Sequence, residues 1–353
     1  MELDLRSPIT EKEDWAMKRV KIYGTLGPAC SSRETLKQMI DAGMDGARLN
    51  LSHSSLDESS ELVEAYLSAA NECGIRPELL IDMQGPELRI GAMDRPKHLQ
   101  DGCVIKSSEL PLPAEVNAAL REQPEGLEVL LDDGKILLIS EKSVSGREVR
   151  LRVIRGGLLS ARKSVALQGC AVHTAAVTDA DRENIRKAKA YGVTGVMQPF
   201  VRGKEDLIEV RNELNKASAG DLCLFAKIEN KDGISSMNEL IPFCDEIVIA
   251  RGDLGNAVPL WELPAVQKRL SAVCREQGRR FMVVTQMLDS MIHKPVPTRA
   301  EVSDIFNAVL DGASSVMVTG ETAVGEYPAP AIRYLSKTVR EAEAYRDRQL
   351  IGG

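Results

Sequence analysis

Eight short apolar runs, most of them followed by a segment of helical pattern, constrain this chain more than any other feature of its sequence. They are VKIYGTL (20–26), GARLN (46–50), ELLIDM (78–83), GVMQPF (195–200), LCLFAKI (222–228), EIVIA (246–250), FMVVT (281–285) and SVMVT (315–319). Strands so uniformly apolar are buried on both faces, and their alternation with helices implies a parallel sheet. Eight is the number that closes a (β/α)8 barrel, so the expected fold class is α/β, a TIM barrel. A doubly wound open sheet is the alternative, but no GxGxxG follows the first run to support it.

The stretch between the third and fourth runs, 88–164, has a different texture. VLLDDGKILLIS and REVRLRVIRGG are β-like pieces with Gly and Asp-Gly turns, and ELPLPAEV is rich in proline. We read it as a small β domain inserted after barrel strand 3, a lid by the usual employment of such insertions. The expected domains are 1–87 (barrel, first part), 88–164 (β-rich lid) and 165–353 (barrel, second part).

A single large barrel can use most of 353 residues. The net charge of -7 argues against a general nucleic-acid surface, which binds by neutralising phosphates. A small phosphorylated substrate remains compatible, because local Arg and Lys overrule a global field. The 7 cysteines form no CxxC pair and the 4 histidines are scattered, so a zinc site is not expected. Reduced, packed thiols are the expectation. The N-terminal MELDLRSPITEKEDWAMKR carries charge where a signal peptide needs an apolar core, and no run reaches bilayer length. The expected location is cytoplasmic, with no membrane partner.

In a barrel the chemistry gathers at the carboxyl ends of the strands. Those ends hold Thr25; Arg48, Asn50, Ser52 and His53; Asp82, Glu87 and Arg89; Lys227 and Glu229; Arg251 and Asp253; Thr285; Thr319 and Glu321. Glu229 and Asp253, from successive strands, suit a hard cation such as Mg²⁺, which takes a few carboxylates and leaves positions for substrate oxygens. A surface salt bridge explains either carboxylate alone, but not both at strand ends. Lys227, two residues before Glu229, lies on the same side of an extended segment. Beside Mg²⁺ it would stabilise a transferring phosphoryl group; Schiff-base chemistry is the other use of such a lysine. Gly252 lets a backbone approach an anion closely. Thr285 and Thr319 are also explained by β-propensity alone.

With those ends laid out, the sequence resembles the pyruvate kinase family. The matching stretches are KIYGTLGPACSS, GMDGARLNLSHSS, LIDMQGPELRIG, LLDDGKILL, AKIENKDGI, ARGDLG, TQMLDSMIHKPVPTRAEVSDIFNAVLDGA and TGETAVGEYP. The resemblance implies phosphoryl transfer from phosphoenolpyruvate to ADP, followed by protonation of the enolate. It places Mg²⁺ (with Mn²⁺ as a substitute) on Glu229 and Asp253, and K⁺ on Asn50, Ser52, Asp82 and the Met83 carbonyl. Lys227 would neutralise the phosphoryl group, with Arg48 binding it. Gly252, Asp253 and Thr285 would receive the substrate carboxylate. Thr285 and Thr319 would lie on the proton route, and Glu321 would support them. Arg48, Asn50, His53, Arg89 and Lys163 match positions that contact nucleotide phosphates, and Asp133 would reach in from the lid.

The sequence also departs from the family. Gln84 and Met83 stand where Lys and Thr are usual, Thr319 replaces Ser, and RKSVALQG stands for KKGVNLPG with Lys163 kept. Pyruvate kinases usually continue into a C-terminal domain with an effector site. The final helix here is followed only by IGG, so the expectation is no such domain, and a homo-oligomer built through barrel faces. A non-catalytic phosphoenolpyruvate-binding regulator is the alternative reading. A third, an Mg²⁺-dependent lyase, leaves Arg48, Arg89 and Lys163 without a nucleotide to hold. Glu87 is the residue type of potassium-dependent members, so turnover is expected to fall when tetramethylammonium replaces K⁺. Equal steady-state rates in the two buffers would contradict that assignment.

Overall fold

The computed structural model describes residues 19–52, 54–123, 125–132, 134–141, 149–168 and 174–351. It divides into two compact units, one of Met1–Gln84 with Val177–Gly353 and the other of Gly85–Ala176. The first is a closed parallel barrel. Its strands are β1 (Lys21–Thr25), β2 (Gly46–Asn50), β3 (Glu78–Asp82), β4 (Gly195–Gln198), β5 (Cys223–Ile228), β6 (Glu246–Ala250), β7 (Arg280–Val284) and β8 (Ser315–Val318). Each pairs with its neighbours in sequence, and β1 closes the ring on β8 with Lys21 opposite Ser315. All eight apolar runs became barrel strands, because only a sheet covered on both faces can bury residues at every position.

Inside the barrel, Tyr23, Leu80, Met197, Phe225, Val248, Met282 and Met317 form one apolar plug. Two strands contribute a glycine at this level, and space is the reason. A Cβ on Gly46 would lie 2.4 Å from the Tyr23 ring, and one on Gly195 would lie 2.8 Å from both Leu80 and Phe225. Strand side chains repeat every second residue on a face. The residues one step beyond Tyr23, Leu80 and Phe225 are therefore Thr25, Asp82 and Lys227, which face the carboxyl-end mouth. The plug thus forms a floor for a polar chamber. The last helix, Pro328–Ile351, packs against the helix Arg299–Leu310 and against Arg33–Asp41 on the outer ring.

The second unit is built around a six-stranded sheet, in the order Leu88–Arg89, Ser164–Gln168, Glu128–Leu131, Ile136–Glu141, Arg150–Arg155 and Val104–Lys106. Its registered pairs are antiparallel. A two-stranded ladder joins Lys97–Leu99 to Gly157–Leu159. The unit has its own core, including Leu120, Val129, Leu138, Leu151 and Val153. A helix at Ala114–Glu122 was not anticipated from the sequence. It begins directly after Pro113 of the proline-rich stretch and buries Val116, Ala119 and Leu120.

The helix Arg299–Leu310 shows how a long family block acquires its shape. Thr298 and Glu301 form a capping box, each accepting from the other's backbone N–H. Glu301 also accepts from the Ser290 N–H at 2.7 Å and its hydroxyl at 2.6 Å, tying the helix to the loop after β7. Burial pushes this carboxyl up, but the bonds from Ser290 and Thr298 outweigh it and hold the group below its ordinary value. Stability from a depressed carboxyl is present above its unfolded value and lost as pH falls through the folded one. Glu301→Gln should therefore cost about 1 kcal/mol at pH 7, after allowing for solvent screening. The difference from the unmodified chain should shrink as the pH falls below about 4 in denaturant unfolding.

Candidate active site

The mouth of the barrel is organised around one carboxylate. Asp82, at the end of β3, is 1% exposed and lies between two cations. Arg48, from β2, donates to Asp82 Oδ2 through Nε at 2.9 Å and Nη2 at 2.6 Å. Lys227 Nζ, from β5, lies 3.2 Å from Oδ1 and 3.0 Å from Oδ2 of the same group. Burial raises the Asp82 carboxyl, yet Lys227 and Arg48 more than offset this and hold it below its ordinary value. For Lys227 burial works against the charge, but Asp82 and Glu229 prevail and its pKa is raised. Lys227 and Asp82 are therefore each held in the charged form.

Glu229 follows β5 and completes the pair with Lys227, its Oε1 3.0 Å from Nζ. Its Oε2 accepts from the Phe200 N–H at 2.8 Å. Phe200 follows β4 with φ of 50°, an unusual left-handed backbone for an aromatic residue. Burial pushes Glu229 up to about 7; Lys227 lowers it, while the negative fields of Asp253 and Asp82 push the same way as burial. Asp253 sits in the first turn of the helix Arg251–Ala257, which starts where β6 ends. A buried Glu229 that feels the charge of a partly exposed Asp253 fits a divalent cation. Among the described residues no group of three or more His, Cys, Asp or Glu side chains gathers as a metal cluster. A two-carboxylate donor set matches Mg²⁺, which keeps water and substrate oxygens as its other ligands.

Asn50 and Asp82 are register partners across β2 and β3, and the Asn50 side-chain oxygen accepts from the Ser52 N–H at 3.1 Å. Met83 follows directly on Asp82. These four residues are close in the chain trace and all offer oxygens, as a hard monovalent cation requires. On the far side, Glu321 ties the loop after β7 to the end of β8. Its Oε1 accepts from the Leu288 N–H at 3.0 Å and its Oε2 from the Thr319 N–H at 2.7 Å. Thr25 Oγ1 donates to the Val318 carbonyl at 3.0 Å and lies 3.3 Å from Arg48 Nη1.

Of the sequence-predicted residues, the barrel brings together Arg48, Asp82, Lys227, Glu229 and Asp253. Arg89 and Lys163 belong to the second unit, on neighbouring strand segments, where Arg89 pairs with Glu87 at 2.5 Å and Lys163 with Asp132 at 2.8 Å. His53 and Asp133 lie outside the described residues. The sequence reading missed the Phe200 N–H, since nothing in the spelling of QPFV announces a positive φ. It also missed Thr322, whose hydroxyl accepts from the Thr25 N–H at 2.9 Å and donates to the Thr25 carbonyl at 2.9 Å. The TGET stretch that carries Thr322 was read only for Thr319 and Glu321.

The family profile for the pyruvate kinase barrel domain matches residues 17–332. The chain belongs to the pyruvate kinase family. It is 37% identical over 334 residues to the pyruvate kinase of Methylorubrum extorquens, covering 92% of this chain and 69% of that relative. Against pyruvate kinase 2 of Synechocystis it is 36% identical, covering 92% of this chain and 57% of the relative. Against the Geobacillus stearothermophilus pyruvate kinase it is 35% identical, over 95% of this chain and 59% of the relative. The chain thus spans less than two thirds of the length of several relatives. Pyruvate kinases are typically metal-dependent, in keeping with the carboxylate pair.

Removing Asp82 would leave Arg48 and Lys227 facing each other without their shared counterion. Asp82→Ala should destabilise the protein by about 3–5 kcal/mol, as for other broken buried ion pairs. Denaturant unfolding followed by circular dichroism checks this. A change under about 1 kcal/mol would show that water, not Asp82, screens the two cations.

Proposed function

We propose that this chain transfers the phosphoryl group of phosphoenolpyruvate to ADP, giving pyruvate and ATP. The observation that carries the reading is the buried Lys227, held at 3.0 Å from both Asp82 and Glu229, in a chain aligned with pyruvate kinases over more than nine-tenths of its length. In phosphoryl transfer the protein's task is positioning and charge stabilisation. The bond between phosphorus and the enol oxygen breaks, and one to a terminal phosphate oxygen of ADP forms. Lys227 and Arg48 flank the negative charge that spreads over the phosphoryl oxygens. Their fixed geometry stabilises that charge in a water-poor chamber without reorganisation.

Glu229 and Asp253 would hold Mg²⁺, which supplies Lewis-acid neutralisation of phosphoryl and enolate oxygens when bound. Asn50, Ser52, Asp82 and the Met83 carbonyl would hold K⁺. Thr285, beside Gly252 and Asp253, would hold the substrate carboxylate in place. The enolate left after transfer needs a proton on its methylene carbon. The hydroxyls of Thr285 and Thr319 stand at strand ends where they can relay it through water, and Glu321 fixes the backbone beside Thr319. No helix of the described residues is long and apolar enough to cross a membrane. Leu260 and Trp261, 70% and 83% exposed, are apolar side chains that a homo-oligomer through a barrel face would cover, and light scattering tests for one.

A coupled assay with phosphoenolpyruvate, ADP, Mg²⁺ and K⁺ tests the main reading. Pyruvate formation is expected. Calorimetric binding of phosphoenolpyruvate with no turnover for any nucleoside diphosphate would instead identify a binding protein. Within an active enzyme, Lys227→Met should lower kcat by about 10³-fold or more, as for other cations that act on a transferring phosphoryl group. Near-normal turnover of that variant would mean another group carries the charge.

A further inference from the structure

The chain takes an unusual path just after β7. Thr285 has φ of 79° and Gln286 has φ of 55°, two consecutive residues in the left-handed region. For a β-branched residue such as Thr285 this backbone is an outlier, costing about 1–3 kcal/mol and persisting only where surrounding groups enforce it. One side chain dominates the surroundings. Arg251 Nη2 donates to the Thr285 carbonyl at 2.8 Å and lies 3.4 Å from the Gln286 carbonyl, and Nε reaches the Thr285 carbonyl at 3.3 Å. The same Nη2 lies 2.9 Å from the Met287 sulfur. The other arm of the fork, Nη1, pairs with Asp304 at 2.5 Å, and the Arg251 side chain is only 11% exposed. The next residue adds a second restraint. A Cβ on Gly252 would stand 2.8 Å from Thr285 Cγ2, so the Thr285 methyl rests against this backbone.

We infer that Arg251 is a positioning residue: anchored by Asp304, its guanidinium holds the Thr285–Gln286 turn in its strained form and so sets the Thr285 hydroxyl. The inference rests on the proposed function, in which Thr285 faces the substrate. Planarity matters here. A guanidinium presents donors in a fixed fork that can serve a carboxylate on one side and carbonyls on the other, whereas an ammonium is a point charge. With the clamp gone, the turn can relax toward ordinary backbone, and misplacement of a positioning group by about 1 Å costs on the order of 10²-fold.

The test is a double-mutant cycle with a readout that needs no activity. Arg251→Met should lower kcat by about 10²-fold, with KM for phosphoenolpyruvate changed much less. In a Thr285→Ala background the same substitution should cost less than about 3-fold, because the residue acts through Thr285. Undiminished loss in that background overturns the proposal. Arg251→Lys keeps a charge for Asp304 and guards against a folding failure; it should show the same loss and the same non-additivity, and full activity of it overturns the proposal. Amide hydrogen exchange of the 285–292 segment in the ligand-free protein should accelerate about 10-fold or more in Arg251→Met. Unchanged protection there refutes the clamp even if the chain makes no pyruvate, whereas faster exchange without turnover leaves the clamp standing and removes only the proposed function.

Discussion

Asp82 is the group on which the barrel mouth depends. It accepts from Arg48 and Lys227 at once, in a position from which water is almost excluded. Two buried cations a few ångströms apart would repel strongly at low dielectric, so neither side chain could hold its place without the carboxylate between them. The pairing also explains why the charges do not spoil the barrel. The apolar plug beneath supplies the packing, and the polar layer one residue further along each strand satisfies itself internally. Burial then makes each interaction stronger than the same pair would be at the surface, which is the condition for electrostatic catalysis.

The fold was legible from the chain because its strands are buried on both faces. Runs such as EIVIA and SVMVT have no polar position to blur the pattern, and eight of them can close only a few kinds of sheet. The same uniformity hides which residues point inward. Val248 fills the barrel while Ile247 and Ile249 face its outer layer, yet the three are spelled alike. Register and closure, which are long-range, settle that question. The helix Ala114–Glu122 was hidden for another reason. It lies in a proline-rich stretch of a segment read as β, yet Pro113 sits just ahead of the helix and so takes no intrahelical hydrogen bond away.

The site was legible only in part. Strand-end charges could be picked out one by one, since ionised groups directly after apolar runs are rare in a core. Their partners could not. Asp82 and Lys227 are 145 residues apart, and Arg251 and Asp304 are 53 apart, so no local spacing announces either pair. Backbone contributions were the least visible. The Phe200 N–H bonds Glu229 because the chain turns through positive φ after β4, and Thr285 is held the same way after β7. A non-glycine residue in that conformation leaves no mark in the sequence, because the tertiary contacts that enforce it come from elsewhere.

Charge balance connects these observations to the chemistry. With all five groups ionised, the cations of Lys227 and Arg48 and the carboxylates of Asp82, Glu229 and Asp253 leave these side chains with one negative charge in excess. That excess is felt at Glu229, where burial and the neighbouring carboxylates lift the group to about 7. A site left so is poor at holding a phosphorylated anion and well suited to a divalent cation. A bound divalent cation would reverse that sign, and an anionic substrate would then meet a positive field. In the proposed reaction Glu229 and Asp253 would bring a metal and its phosphorylated ligand together, while Asp82 fixes Arg48 and Lys227 beside them.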